Sequence, residues 1–187
     1  MIENHDERIR VMRIIARMNV GGPAVQVSGL MRGFDATKFD HRLVTGYCAS
    51  DEADYLDTVA TDVTATRIKG LGRSISPKAD LGAFVQIVRE IRTFRPDVIH
   101  THTAKAGVIG RLASILSGHK SICVHTYHGH LLHGYFGKFK TQLVIAIEKF
   151  LAHFTTKLLA VGKKVMDDLL AVGIGKPEKF AVMTPGL

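Results

Sequence analysis

The sequence predicts an α/β domain built on a parallel sheet covered by helices on both faces. Two patterns carry that expectation. Short apolar, β-branched runs alternate with stretches of helical periodicity, and only a few residues separate one from the next. A third observation removes the competitors: no internal repeat and no low-complexity tract interrupts the alternation.

Residues 9–16, rich in Ile, Val and Met, read as the first strand. They run into Met18-Asn19-Val20-Gly21-Gly22-Pro23 and a helix over 24–32. Pro23 suits the first turn of that helix, where a missing N–H costs little. Residues 41–47 read as a second strand, 54–60 as a weaker helix and 63–68 as a third strand; 70–74 is a glycine-containing loop. From 80 to 94 the apolar positions Leu81, Phe84, Val85, Val88 and Ile91 form a helical stripe. Arg95-Pro96-Asp97 stops it, and 98–101 is a short buried strand. A helix over 106–117 ends at Gly118. A strand over 121–127 and a long helix over 138–155 follow. Residues 158–161 and 180–183 complete the strands, with a helix over 163–172 between them.

At 187 residues, with 46% hydrophobic and 22% charged content, the chain suits one globular domain spanning 1–187. No apolar run approaches the roughly 20 residues that cross a bilayer. The acidic, polar start Met1-Ile2-Glu3-Asn4 is unlike a secretory signal. Cys48 and Cys123 form neither a disulfide framework nor a Cys-x-x-Cys metal motif, which points to a reduced, cytoplasmic setting. The formal charge of +8 favours anionic partners. Without a zinc finger, an aromatic RNA-binding signature or a dense basic run, nucleic acid is not the expected one.

The chemistry-bearing residues gather at predicted strand ends. Gly21-Gly22 lies between the first strand and first helix, where paired glycines admit a phosphate to the backbone; a plain tight turn fits the spacing equally. His100 and His102 would share one face of a strand, and Lys105 follows in the first turn of a helix, either holding an anion or simply solvated. Val124-His125-Thr126-Tyr127-His128-Gly129-His130 ends another strand in clustered imidazoles. The spacing allows zinc, yet structural zinc sites usually recruit cysteines and catalytic ones often an acid, and no Asp or Glu falls between Asp97 and Glu148, so no metal is expected. The segment 131–140 mixes Tyr135 and Phe136 with Lys138 and Lys140, a composition suited to an anionic membrane surface. In the helix that follows, Phe139, Leu143, Ala146, Phe150 and Phe154 form a stripe expected to pack on the sheet.

In order, Arg17-Met18-Asn19-Val20-Gly21-Gly22-Pro23, Arg95-Pro96-Asp97-Val98-Ile99-His100-Thr101-His102, Lys105-Ala106-Gly107-Val108-Ile109-Gly110-Arg111, His125-Thr126-Tyr127-His128-Gly129-His130 and Lys176-Pro177-Glu178-Lys179-Phe180 cover nearly the whole chain. This ordered set resembles the N-terminal half of retaining glycosyltransferases of family 4, whose GT-B fold pairs two Rossmann-like domains. The resemblance implies a Rossmann-like domain on the acceptor side, with nucleotide-diphosphate sugar as co-substrate and no other cofactor. It implies that Gly21 and Gly22 approach the donor diphosphate, that His128 is the active-site histidine touching the donor sugar, and that His102 and Lys105 line the acceptor side. It further implies a lipid-linked or other cell-envelope glycan acceptor, met at the inner face of a membrane through Tyr135, Phe136, Lys138 and Lys140.

Val161-Gly162 stands where the family commonly has Val-Ser, and the sequence stops at Leu187, where the linker to a donor-binding domain would begin. The expectation is therefore an acceptor-binding domain with little transferase activity unless joined to that donor domain. Its cleft edge would be open, offering an apolar and basic face for self-association. A non-catalytic lipid- or carbohydrate-binding module, or part of a sugar-nucleotide epimerase, are the alternatives.

Overall fold

The computed structural model describes residues 8–129 and 138–184. Seven strands form one sheet: β1 (Ile9–Ile15), β2 (Phe39–Thr45), β3 (Thr66–Arg67), β4 (Val98–His102), β5 (Ile122–Tyr127), β6 (Lys157–Ala160) and β7 (Phe180–Val182). Their spatial order is β3-β2-β1-β4-β5-β6-β7, and every pairing is parallel. The helices are α1 (Gly22–Gly33), α2 (Tyr55–Thr58), α3 (Pro77–Phe94), α4 (Ala104–Leu116), α5 (Lys138–Phe154) and α6 (Lys163–Ala171).

Period-two alternation sends successive strand residues into different layers. Met12 and Ile14 of β1 join Ile99 of β4 beneath Ala83, Ile87 and Ile91 of α3 and Ala106, Ile109 and Ala113 of α4. Ile15 of β1 and Leu43 of β2 pack on the other face against Ala24 and Val27 of α1 and Leu56 of α2. A third cluster sets Leu158 and Ala160 of β6 against Val165 and Leu169 of α6. Burial on both faces explains why these strands read as unbroken apolar runs.

The element order predicted from the sequence is the one observed; the departures have local causes. The third strand is only Thr66–Arg67, because Asp54 caps α2 and also binds the Arg67 guanidinium at 2.6 Å, which holds the preceding residues in turns. Helix α3 starts at Pro77, three residues early, because Asp80 reaches back to the Ser76 amide at 3.2 Å. Its end is set by Arg95, which adopts a left-handed conformation (φ 51°) and donates its N–H to the Ile91 carbonyl before Pro96.

One expectation is reversed. The α5 stripe predicted to face the sheet is outward: Leu143 and Phe150 are each 54% exposed and Phe154 48%, whereas Ile145, Glu148, Leu151 and Ala152 are buried. The helix is turned this way because Glu148 is bound from inside the fold by Arg111 of α4. A buried carboxylate paired with a cation outweighed the more obvious aromatic stripe.

Candidate functional site

The strand order reverses between β1 and β4, and in open parallel sheets the crevice beyond the carboxyl ends at that point is where ligands bind. The residues there are Ala16 to Gly21 after β1, Thr103 after β4 and His128 after β5. Thr103 is a non-glycine residue at φ 63°, and its hydroxyl accepts a hydrogen bond from the Ala16 amide at 3.3 Å. Such strained backbone costs on the order of 1–3 kcal/mol and persists only where surrounding contacts enforce it.

Register divides the histidines between the two faces. Ile15 pairs with His102 and His102 with Thr126, so His100, His102 and, two residues beyond Thr126, His128 lie on the α1 side. The His102 Nδ1 and His128 Nε2 atoms are 3.0 Å apart, and the His100 and His102 rings stack at 4.1 Å between centroids. His100 Nε2 lies 2.8 Å from the Thr126 hydroxyl. His125 is on the opposite face beneath α4, with its Nδ1 2.8 Å from the Thr101 hydroxyl.

These imidazoles are held neutral. Burial lowers His100 to about 3 and His128 to about 4, and it drives His102 and His125 well below the ordinary histidine range. The cations of Arg13 and Arg111 push in the same direction. Arg13 is itself 2% exposed inside β1, bound to His41 Nδ1 at 2.6 Å with its guanidinium over the Phe34 ring. Burial brings it down to about 10. A neutral cluster can donate and accept hydrogen bonds at neutral pH; as a proton store it is poor.

Gly21 and Gly22 lie at the amino end of α1. A Cβ at Gly22 would meet nothing within 4 Å, so the first turn is open to a ligand. His102, expected to touch the acceptor, is fully buried and turns its ring nitrogen to His128 rather than outward. Lys105 is engaged by its own fold: its amine lies 2.6 Å from Asp80 Oδ1, donates to the Gly70 carbonyl at 2.6 Å and also bonds the Ser74 carbonyl. It ties the loop before α3 to the start of α4. Lys138 opens α5 and Lys140 is exposed, while Tyr135 and Phe136 lie outside the described residues.

His128 itself is half-buried at this edge, with His100, His102 and His125 buried behind it. Two cavities, of about 240 and 330 Å³, lie at the other end of the sheet, one beside Ser121 before β5 and one beside Gly175 before β7. Among the described residues no group of three His, Cys, Asp or Glu side chains is disposed to hold a metal ion. No helix among them is long and apolar enough to cross a membrane.

Three contributors escaped the sequence reading. Arg13 registers with His100 across β1 and β4; an arginine within the apolar run 11–15 was the available signal. Glu148 was conspicuous as the first acid after Asp97. Gly107 matters through its missing side chain, since a Cβ there would stand 2.5 Å from His125 Cε1. Gly107→Ala should therefore cost about 1–3 kcal/mol by overpacking. Urea unfolding with the His125 ring signals as local reporter measures this, and an unchanged midpoint would mean that the ring moves freely.

Comparison with known proteins agrees with this fold. A model of the glycosyl transferase 4-like domain matches residues 21–186. The chain is 28% identical over 134 residues to an Escherichia coli UDP-Gal:alpha-D-GlcNAc-diphosphoundecaprenol alpha-1,3-galactosyltransferase, covering 72% of this chain and 34% of that one. Among solved structures, the lipopolysaccharide outer core galactosyltransferase WaaB superposes with a TM-score of 0.71 at 13% identity, covering 94% of this chain and 45% of WaaB. Anabaena HepE in complex with UDP gives 0.69 at 17%, over 96% and 44%. The UDP-GlcNAc 2-epimerase from Methanocaldococcus jannaschii gives 0.62 at 16%, over 93% and 45%. The chain thus spans about a third of its curated relative and under half of these structures. With the family model matched from the first glycine of the β1–α1 loop to beyond β7, the chain belongs to the glycosyl transferase 4-like family.

Proposed function

We propose that this chain is the acceptor-side domain of a nucleotide-sugar-dependent, retaining glycosyltransferase acting on a lipid-linked glycan. The observation that carries the reading is the convergence, at the carboxyl edge where the strand order reverses, of the open α1 amino terminus with the half-buried His128. An α-helix amino terminus favours a diphosphate. A neutral imidazole on the same face of that edge suits the hydroxyl groups of a sugar. The curated relative's own name, with a UDP-sugar donor and a diphosphoundecaprenol-linked acceptor, supports this choice of substrates.

Stabilising a departing diphosphate needs donors arranged around it before reaction, and one wall of a cleft supplies only part of them. The chain alone should therefore transfer sugar slowly or not at all. The test offers radiolabelled UDP-galactose and a GlcNAc-diphosphate polyprenol to the chain, and to the same chain joined to a donor-binding half. In the joined enzyme, His128→Ala should lower kcat/KM by on the order of 100-fold, about the loss of one well-placed stabilising donor. Full activity of the variant would overturn the assignment of His128. If the joined enzyme instead interconverted UDP-GlcNAc and its 2-epimer without an acceptor, the epimerase reading would replace this one.

A second reading concerns the membrane, and the outward stripe of α5 favours it. Leu143, Phe150 and Phe154 are exposed on one helix that also presents Lys140 and Lys149 to solvent. Large apolar side chains flanked by lysine suit the head-group region of anionic lipid. The expected result is sedimentation with phosphatidylglycerol vesicles that weakens with salt and is lost in the Phe150→Ser/Phe154→Ser double variant. Equal binding by that variant would remove α5 from the contact.

A further inference from the structure

The His102–His128 contact has two neutral arrangements, and they leave different atoms stranded. If His128 donates from Nε2, His102 accepts at Nδ1 and must carry its own proton on Nε2. That atom is buried and meets no hydrogen-bond partner among the described residues. An enclosed N–H without an acceptor is rare in folded proteins, and an unmade bond of this kind costs on the order of 1–3 kcal/mol. If His102 donates from Nδ1, the stranded atom is only a lone pair, the lesser penalty. A doubly protonated His102 is excluded by its surroundings, since it is fully enclosed with His100 stacked on it at 4.1 Å and the Arg13 cation on the same face.

We propose that His102 is a positioning residue for His128, donating from Nδ1 to His128 Nε2 and thereby fixing His128 as its Nδ1–H tautomer. The consequence is chemical. The nitrogen that His128 keeps for a ligand is then a neutral N–H donor, suited to a sugar hydroxyl or phosphate oxygen, and it is not available as a base. Nothing among the described residues pairs with that Nδ1, and His128 is half-buried at the carboxyl edge of the sheet. His102 is held for the task on both sides. It is the last residue of β4, hydrogen-bonded in register between Ile15 and Thr126, and the strained Thr103 directly after it is tied to Ala16. The purpose of the device rests on the reading of His128 proposed above; its geometry does not.

Long-range proton–nitrogen correlation spectra of the isotope-labelled chain at neutral pH read each ring's tautomer directly. His128 is expected to be protonated at Nδ1 and bare at Nε2. His102→Leu should shift it towards the Nε2–H form that free histidine prefers. His102→Asn, whose side-chain amide can donate from near the place of Nδ1, should keep the wild-type pattern. A wild-type His128 protonated at Nε2 overturns the proposal without any variant, so a His102→Leu chain that fails to fold does not shelter it. An unchanged His128 tautomer in a folded His102→Leu chain overturns it as well. If the tautomers are as expected while His128→Ala leaves sugar transfer intact, the positioning stands and the functional reading falls.

Discussion

Acidifying the protein from pH 7 to pH 5 should remove a large part of its stability, set against a typical domain's whole margin of roughly 5–15 kcal/mol. The cause is three enclosed imidazoles, His100, His102 and His125, whose folded pKa values all lie far below the ordinary 6.5. In the unfolded chain each takes up a proton as pH drops through 6.5; in the folded chain His100 does so only near pH 3, and His102 and His125 well below the ordinary histidine range. The unfolded state therefore binds more protons, and stability falls with falling pH at about 1.4 kcal/mol per unit for each ring. Over this interval that comes to about 2 kcal/mol for His100, and His102 and His125 add to it in the same direction. His128, lowered to about 4 and partly solvated, adds less in the same direction.

The surroundings reinforce the effect. The charges acting on these rings are Arg13 from β1 and Arg111 from α4, both cations. A proton arriving on the cluster would join them, in a chain already carrying +8. Urea unfolding at a series of pH values is the measurement. The loss should begin near pH 6.5 and flatten only as the folded rings protonate, His128 near 4 and His100 near 3. A stability constant from pH 7 to 5.5 would mean that the cluster is already charged or solvated in the folded state.

What the sequence made legible follows the same physical division. Strand parity put His100 and His102 on one face, and the observed register extends that face to His128 through Thr126. The strand–helix alternation gave the order of elements because burial on both faces leaves a clear apolar signature. Periodicity does not encode which of two adjacent polar groups will be satisfied inside the fold. Lys105 read as a free cation because Asp80, its partner, sits 25 positions earlier and meets it only through packing of α3 on α4. The α5 stripe read as core because Phe and Leu outweigh a glutamate in any hydrophobic pattern. Glu148 becomes an inward residue only once Arg111 is opposite it.

That pair carries the other large effect. Arg111 Nη2 donates to both oxygens of Glu148, at 2.7 and 2.8 Å, while its Nε donates to the Gly107 carbonyl and the Tyr127 hydroxyl donates to Glu148 Oε2 at 2.8 Å. The side chains are 1% and 2% exposed. Glu148 raises the Arg111 pKa against the opposing effect of burial, and burial with the same carboxylate raises Tyr127, so both stay protonated as donors. Glu148→Ala leaves a buried guanidinium without its counter-charge and should cost about 3–5 kcal/mol. Replacing both residues, Arg111→Met with Glu148→Leu, should recover most of that loss, because the desolvation of two charges disappears along with their attraction. A thermodynamic cycle over the two single variants and the double variant measures the coupling; additive losses would show that the pair is not a unit. The position of the pair adds a second readout. Tyr127 precedes His128 in the chain, and its ring meets His125 edge-on at 4.5 Å. Loosening Glu148 should therefore broaden the His125 and His128 ring signals, whereas an equally destabilising truncation in the α6 cluster, Leu169→Ala, should leave them sharp.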